Sequence, residues 1–184
     1  MSKPINLTGQ PHPPTILLEP REEALVPAAT EPFVVRDRFK TGAGVKFSTV
    51  WAEFKSRFFG KIEPPSPAFR MRKYKLLAFA PDGPIIAELG GEANVESSLR
   101  TAFALLQRQG NGEEGFLQTN GFANIFYVRD LQGVLCAIRI GWADAGWVVD
   151  AIPVADPLAW NGKHEIFCPV REAEPATANL GSAQ

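Results

Sequence analysis

Apolar and polar positions alternate most regularly from Asn124 to Val154, in "NIFYVRDLQGVLCAIRIGWADAGWVVDAIPV". Alternation with a period of two is typical of β-strands that bury one face. Turn residues interrupt the alternation twice, at "DLQG" and at "ADAG". The stretch therefore predicts antiparallel strands that are joined by two hairpins.

The two loops predict how these strands pair. The four-residue loop "ADAG" places Trp142 opposite Trp147, and Arg139 opposite Asp150. "DLQG" is best closed as a three-residue loop with Gly133 at positive φ, because glycine has no Cβ to clash there. The apolar face is then Phe126, Val128, Val134, Cys136, Ile138, Ile140, Trp142, Trp147 and Val149. The opposite face carries Tyr127, Arg129, Arg139 and Asp150 among Leu135, Ala137, Val148 and Ile152. If "DLQG" formed a four-residue loop instead, the register between the two strands that it joins would shift by one residue.

Two segments have the spacing of amphipathic helices. "FSTVWAEFKSRFFG" repeats apolar residues at helical spacing after Ser48, a favourable N-cap, and predicts a helix over Ser48–Phe59. "NVESSLRTAFALLQRQG" predicts the main helix, Val95–Gln109, with Asn94 as its cap. Its apolar stripe is Leu99, Ala102, Phe103 and Leu106.

Shorter segments complete the predicted elements. "DGPIIAELGG" predicts a short helix capped by Asp82, Phe69 to Ala80 is expected to be extended, and "HEIF" to form a fourth strand. The expected fold class is α+β: an antiparallel β-meander of about four strands with one main covering helix, plus an extended proline-rich N-terminal arm.

Proline content divides the chain. Residues 1–32 hold seven of the sixteen prolines, and proline removes backbone donors and favours extended conformations. We expect an extended arm over 1–32, a basic helix-plus-strand segment over 33–80, an α+β core over 81–170 and a flexible tail over 171–184. An ordered arm needs a surface to lie on, and a neighbouring subunit is the expected surface.

Charge is segregated although the net charge is only −1. Residues 36–75 hold 11 Lys/Arg against 3 Asp/Glu, a net of +8, whereas residues 76–184 hold 6 against 13, a net of −7. One interpretation is a basic layer packed beside an acidic one. The other is a basic surface for an acidic partner or nucleic acid, with Arg70, Arg72, Lys73 and Lys75 of "FRMRKYK" as its candidate residues.

The sequence also argues against several chemistries. It has no phosphate-binding glycine loop, no Cys-x-x-Cys and no paired histidines. Cys136, Cys168 and His164 match no zinc spacing, and Cys136 lies between aliphatic residues, which predicts a buried, inert thiol. We therefore expect no catalytic residues, no metal and no cofactor.

The N-terminus lacks a signal-peptide pattern, and no stretch reaches the roughly 20 apolar residues of a membrane span. With only two cysteines, a disulfide framework is not expected. These features predict a soluble, cytoplasmic protein without a membrane partner.

One set of turn residues and aromatics carries a resemblance. "GFLQTNGFANIFYVRD", then "GVL", a "GW" hairpin, Pro157, Trp160, Gly162 and Phe167, resembles a C-terminal module of uncharacterised bacterial open reading frames. The resemblance covers roughly residues 83–168. It implies a bacterial or mobile-element origin and assigns no activity and no site.

The leading functional hypothesis is a non-enzymatic binding or assembly module that self-associates through its N-terminal arm, with a protein or a second copy as partner. The first alternative is a nucleic-acid-binding accessory protein that uses the basic segment 69–75. The second is a small enzyme with a carboxylate-based site on the face of Tyr127, Arg129, Arg139 and Asp150.

Overall fold

A computed structural model describes residues 16–144 and 146–171. The strands in these ranges are β1 Leu18–Val26, β2 Phe33–Val34, β3 Phe47–Val50, β4 Ile62–Glu63, β5 Phe69–Leu76, β6 Ala80–Pro81, β7 Asn124–Arg129, β8 Leu135–Ala143, β9 Gly146–Pro153, β10 Ala159–Trp160 and β11 Glu165–Pro169. The helices are α1 Val35–Arg38, α2 Ala52–Phe58, α3 Asp82–Glu88, α4 Glu92–Val95 and α5 Leu99–Leu106, which a 3-10 turn extends over Gln107–Gln109.

Seven strands form one mixed sheet in the order β1-β5-β11-β7-β8-β9-β3. The pairs β11/β7 and β3/β9 are parallel and the other pairs are antiparallel. The short strands pair separately, β2 with β4 and β6 with β10. The predicted four-stranded antiparallel meander with one main helix is therefore wrong, although strands and helices do combine in an α+β fold.

The predicted fourth strand takes an unexpected place. "HEIF" belongs to β11, which does not follow β9 in the sheet but lies between β5 and β7. There Phe167 stacks on Phe126, with ring centroids 4.6 Å apart and planes 15° from parallel. This pairing buries the aromatic residues of β11 in the centre of the sheet, which local sequence does not encode.

Part of the predicted arm also enters the sheet. β1 pairs with β5 along its length, with a register shift between Pro20 and Glu23. Proline is tolerated on an edge strand because the ladder loses no hydrogen bond on its open side. Residues 1–15 of the arm and residues 172–184 of the tail lie outside the described residues.

The first predicted helix begins later than expected. Residues Phe47–Val50 form β3, which pairs with β9, and α2 starts at Ala52 without a side-chain cap. The Ser48 cap is therefore wrong. Thr49 and Val50 are β-branched and favour a strand when a partner is available. Phe54 and Phe58 are fully buried, as the helical spacing predicts.

The main helix is interrupted. α4 ends at Val95, and Glu96 is extended because the Ser97 amide bonds the Tyr127 carbonyl at 2.8 Å. The N-cap is Ser98, whose hydroxyl accepts from the Thr101 amide at 3.2 Å, and not Asn94. The predicted stripe of α5 is confirmed by burial of Leu99, Ala102, Phe103 and Leu106.

The predicted hairpin register is confirmed. Trp142 pairs with Trp147 and Arg139 with Asp150, and Gly133 has φ 81° in the first loop. Pairing continues to Ala143 and Gly146, so the second connection has two residues instead of four. Val134, predicted on the core face, is 40% exposed.

Apolar cores lie on both faces of the sheet. The larger core packs α5 and α2 on the side of Phe126, Ile138 and Trp147. The second core packs α3 and α4 on the side of Tyr127, Ala137 and Ile166. The sheet face of Tyr127, on which the predicted polar residues lie, is therefore largely covered by α3 and α4. Among the described residues, no helix has the length and apolar character needed to cross a membrane.

Candidate functional site

The four basic residues predicted on β5 do not form one surface. Side chains alternate along a strand, so Arg70 and Arg72 lie on one face of the sheet and Lys73 and Lys75 on the other. A continuous cationic stripe cannot result from this arrangement.

Three of these four cations have carboxylate partners. Arg72 Nε donates to Glu23 at 2.9 Å, and Arg70 lies 3.6 Å from the same carboxylate. Lys73 Nζ lies 2.7 Å from Glu22. The main partners thus come from β1 of the predicted arm. The charge distribution in the sequence had instead indicated partners in the acidic C-terminal half.

The face expected to hold a carboxylate-based site is divided in a similar way. Tyr127 is buried, and its hydroxyl donates to Asp82 Oδ1 at 2.7 Å. Arg129 is held by Glu92 at 2.7 Å and Glu96 at 3.0 Å.

Arg139 and Asp150 lie elsewhere on that face. They are register partners, yet their charged atoms form no ion pair within 4 Å among the described residues. Arg139 pairs with Ile125, four residues before Arg129 on β7, which separates the two arginines by roughly 13 Å along the strand. The four predicted side chains therefore do not meet at one point.

A different set of residues surrounds a pocket of about 610 Å³. We call it the cationic pocket. Its lining residues are Arg21, Glu22, Lys73, Lys75, Gln118, Asn120, Phe122, Lys163 and Glu165. Four cations face two carboxylates, so the lining carries a net charge of +2. The volume is in the range of about 300–1,000 Å³ that is usual for ligand pockets.

Lys73 and Glu165 form the buried floor of the cationic pocket. Lys73 is 8% exposed; its Nζ donates to the Phe116 carbonyl at 3.1 Å and lies 3.6 Å from Glu165. Burial raises the pKa of Glu165, and Lys73 only partly opposes this effect. Glu165 Oε2 is buried without a hydrogen-bond partner in the described structure. Such an oxygen is costly to bury and is common at binding sites.

Lys163 has a strained backbone at the rim of the cationic pocket. Its φ is 90°, a region that favours glycine. The Lys163 amide donates to the Leu76 carbonyl at 2.9 Å, and Gln118 Nε2 donates to the Lys163 carbonyl at 3.2 Å. The ammonium lies 5.3 Å from the centroid of the Phe122 ring. Strain of this kind is concentrated at functional sites.

Lys75 and Lys163 are the cations most available to a ligand. Lys75 pairs with Glu165 in register, and Lys163 is two residues before Glu165, so their backbones are close. Neither lysine has a carboxylate within 4.0 Å among the described residues. A phosphate or carboxylate group placed between them would supply the missing counter-charge.

His164 adjoins the cationic pocket, beside Lys163 and Glu165. Its ring lies between Phe122 and Trp160, with centroids 5.7 Å from each. Burial lowers the pKa of His164, and its Nδ1 accepts a hydrogen bond from the Ala123 amide at 2.9 Å. The His164 side chain is half-buried.

The sequence reasoning found Lys73 and Lys75 but missed Lys163, Glu165 and Phe122 as members of one site. The turn "NGK" is a local signal at this site, and within it Lys163 and not Gly162 has positive φ. The other members come from separate segments of the chain.

The predicted burial of Cys136 is confirmed. Cys136 and Cys168 are both free and buried, and burial raises the pKa of the Cys136 thiol to about 11. A thiol with such a pKa is a poor nucleophile at neutral pH. Within residues 16–144 and 146–171, no group of three His, Cys, Asp or Glu side chains is placed to hold a metal ion.

No family model, curated protein or solved structure matches this chain. The resemblance to a module of bacterial open reading frames therefore stays a prediction.

Proposed function

We propose that this chain is a non-enzymatic binding module that holds the anionic group of a small ligand in the cationic pocket. The observation that carries the proposal is the pair Lys75 and Lys163, two neighbouring lysines at a pocket with net charge +2. Within residues 16–144 and 146–171, neither lysine has a carboxylate partner. The strained conformation of Lys163 supports it, because the fold maintains an unfavourable backbone where the ammonium enters the site.

The ligand group is a phosphate or a carboxylate. Lysines act as point charges and do not impose the planar, bidentate geometry of an arginine fork. The side-chain amide of Asn120 and the ring of Phe122 lie at the same pocket and can contact the rest of the ligand. Glu22 and Glu165 restrict the negative charge that the site tolerates, which favours a small anion over a polyanion.

Calorimetric titrations with inorganic phosphate and with acetate test the proposal and distinguish the two groups. At about 0.01 M salt the Debye length is roughly 30 Å, so weak binding is least screened. We expect the double variant Lys75→Gln/Lys163→Met to bind the preferred anion about tenfold more weakly or worse. Lys46→Gln is the matched control, because exposed Lys46 lies beside β3 at the other edge of the sheet.

An unchanged affinity in the folded double variant contradicts the proposal. So does an equal loss in Lys46→Gln, because it would indicate a general effect of surface charge. Absence of binding of either anion to the native protein contradicts it as well.

Self-association through the N-terminal segment stays a second proposal. β1 is an edge strand, which supports pairing with another copy. However, Glu88 accepts from the amides of Leu17 and Leu18, and Arg108 donates to the Leu25 carbonyl, so both ends of β1 are already bonded within the chain. A second copy would be limited to the middle of the strand.

Light scattering tests the assembly proposal. Deleting residues 1–32 would remove β1 and disturb the fold, so the informative comparison is the full chain beside residues 16–184. A smaller oligomer after truncation supports assembly through residues 1–15. Equal masses that correspond to a monomer contradict it. A cytoplasmic location belongs with this proposal and is supported by the two free cysteines.

Nucleic-acid binding through Arg70, Arg72, Lys73 and Lys75 is the less supported alternative, because the four cations lie on two faces and three of them have carboxylate partners. Four phosphate contacts would give a slope of log affinity against log salt of roughly −3. A mobility-shift titration with single- and double-stranded oligonucleotides measures it. Salt-sensitive binding that is lost in the four-serine variant would favour this alternative over the small-anion proposal.

A further inference from the structure

A second pocket lies at the C-terminal end of β1, beside helix α5. Its volume is about 380 Å³. We call it the arginine pocket. It is lined by residues 26–33, Arg38, Arg100, Phe103, Ala104 and Gln107. It shares no lining residue with the cationic pocket, so the two can be tested separately.

Arg100 is a buried cation that has no counter-ion in the part of the chain that the structure describes. The residue is 9% exposed, and Nη2 donates only to the carbonyl oxygens of Glu31 at 2.6 Å and Glu63 at 3.3 Å. Nε is buried without any hydrogen-bond partner in the described structure. No described carboxylate lies within 4 Å of the guanidinium. A guanidinium stays charged in proteins, so this site retains an uncompensated positive charge.

The carboxylate of Glu63, whose backbone carbonyl accepts from Arg100, already has other partners. Glu63 Oε1 accepts from the Leu99 amide at 2.9 Å, and Oε2 accepts from the Arg100 amide at 2.8 Å. Both oxygens therefore satisfy the first turn of α5. The guanidinium of Arg100 faces the Phe33 ring instead, with Cζ 5.5 Å from the ring centroid.

The walls around this charge are apolar. Val26, Phe33 and Phe103 are buried residues of the larger core, and Ala104 packs against it. Arg38 adds a second, exposed guanidinium at the pocket. The lining thus has two guanidiniums, one buried and one exposed, and one exposed acidic residue, Glu31. Its net charge of +1 beside these apolar walls is complementary to a carboxylate on an apolar chain.

We propose that the arginine pocket binds a small monocarboxylate with an apolar chain, its carboxylate on Arg100 and its chain against Phe33, Phe103 and Ala104. The carboxylate supplies the counter-charge that the described residues do not, and Arg38 adds attraction at the entrance. The apolar chain displaces water from the pocket, where Ala104 is only half-buried, and this adds affinity without adding charge.

Titration with octanoate tests this proposal, with octan-1-ol as the uncharged match of nearly the same shape. We expect octanoate to bind about tenfold or more tightly than octan-1-ol, because only the carboxylate pairs with Arg100. Arg100→Lys retains the charge but loses the fork, and should weaken octanoate binding by about tenfold. Ala104→Phe fills the pocket, leaves Arg100 in place and should abolish binding of both probes.

Arg36→Gln is the matched control, because Arg36 is exposed and does not line the pocket. Thermal unfolding of each variant shows that it is folded. Equal affinities for octanoate and octan-1-ol overturn the proposal, as does unchanged octanoate binding in folded Ala104→Phe. Failure of the native protein to bind octanoate also overturns it. None of these results depends on phosphate or acetate at the cationic pocket.

Discussion

The hydroxyl of Tyr127 donates a hydrogen bond to Oδ1 of Asp82 at 2.7 Å, and this contact joins helix α3 to the central strand β7. The Trp160 indole donates to the same oxygen at 2.8 Å. Asp82 is 1% exposed and its Oδ2 has no partner among the described residues. Burial raises the pKa of Asp82 although both hydrogen bonds oppose the rise, and burial also raises the pKa of Tyr127.

The raised pKa predicts how stability depends on pH. Asp82 binds a proton more strongly in the folded state, so its contribution is complete below the unfolded pKa of about 3.9 and is lost as pH rises through the folded pKa. Asp82→Asn retains the acceptor oxygen and does not titrate. We expect the stability of this variant relative to native protein to increase from pH 4 to 7, by about 1.4 kcal/mol per unit of pKa elevation.

Urea unfolding at several pH values measures this difference. Exposed Asp156 is the control position, and Asp156→Asn should show a nearly constant difference from native protein. A pH-independent difference for Asp82→Asn would show that the carboxyl does not titrate abnormally in the folded state.

Glu63 caps helix α5 from a distant part of the chain, because its two oxygens accept from the Leu99 and Arg100 amides. Glu63→Ala leaves two buried donors without partners and should lower the free energy of unfolding by about 2–3 kcal/mol. Glu53→Ala is the control: Glu53 pairs with Arg57 at 3.6 Å on the surface of α2, and such pairs contribute about 0–1 kcal/mol. Chemical denaturation compares the two. Equal losses would mean that Glu63 is not a cap.

The strained backbone of Lys163 predicts a separation of stability from binding. Lys163→Gly removes both the ammonium and the strain, so it should increase the free energy of unfolding by about 1 kcal/mol. Lys163→Met removes the charge but keeps a side chain at φ 90°, and should not gain stability. Both variants should lose affinity for the anion at the cationic pocket. Denaturation without ligand is decisive: an equal gain in both variants would argue against strain at this residue.

Gly112 lies against the indole ring of Trp142, with φ 78°. Gly112→Ala should therefore be more destabilising than Gly42→Ala, because Gly42 also has positive φ but has open space where a Cβ would be. We expect a loss of about 1–2 kcal/mol for Gly42→Ala from conformation alone. Gly112→Ala should lose clearly more, because Trp142 cannot move freely beside Trp147, whose ring centroid is 5.4 Å away. Thermal unfolding measures both variants, and equal losses would exclude a steric effect.

The local parts of this fold follow from the sequence. The pairing of Trp142 with Trp147 depends on a short loop and on strict alternation, and both are encoded within a few residues. The same holds for Gly133, for the buried stripe of α5 and for the buried Cys136. In each case the physical cause, a turn conformation or a repeating apolar position, acts between near neighbours in the chain.

The arrangement of the sheet was decided by tertiary structure. The predicted helix began at Ser48, but Phe47–Val50 form β3, which pairs with β9 in parallel. Residues near β3 in sequence give no sign of this partner. β1 and β11 joined the sheet on either side of β5 for the same reason. A strand's partner is chosen by the burial that the whole sheet gains, and that free energy is not a property of the strand's own sequence.

Both pockets also arise only in the folded chain. The cationic pocket combines β1, β5, the residues before β7 and the turn before β11, while the arginine pocket combines the segment after β1 with α5. The sequence by itself determined which strands form hairpins, which face of α5 is buried and that Cys136 is buried. The tertiary structure alone decided that Lys75 and Lys163 are neighbours and that Arg100 is buried with no counter-ion among the described residues. Charges distant in sequence meet only when long-range strand pairing brings them together.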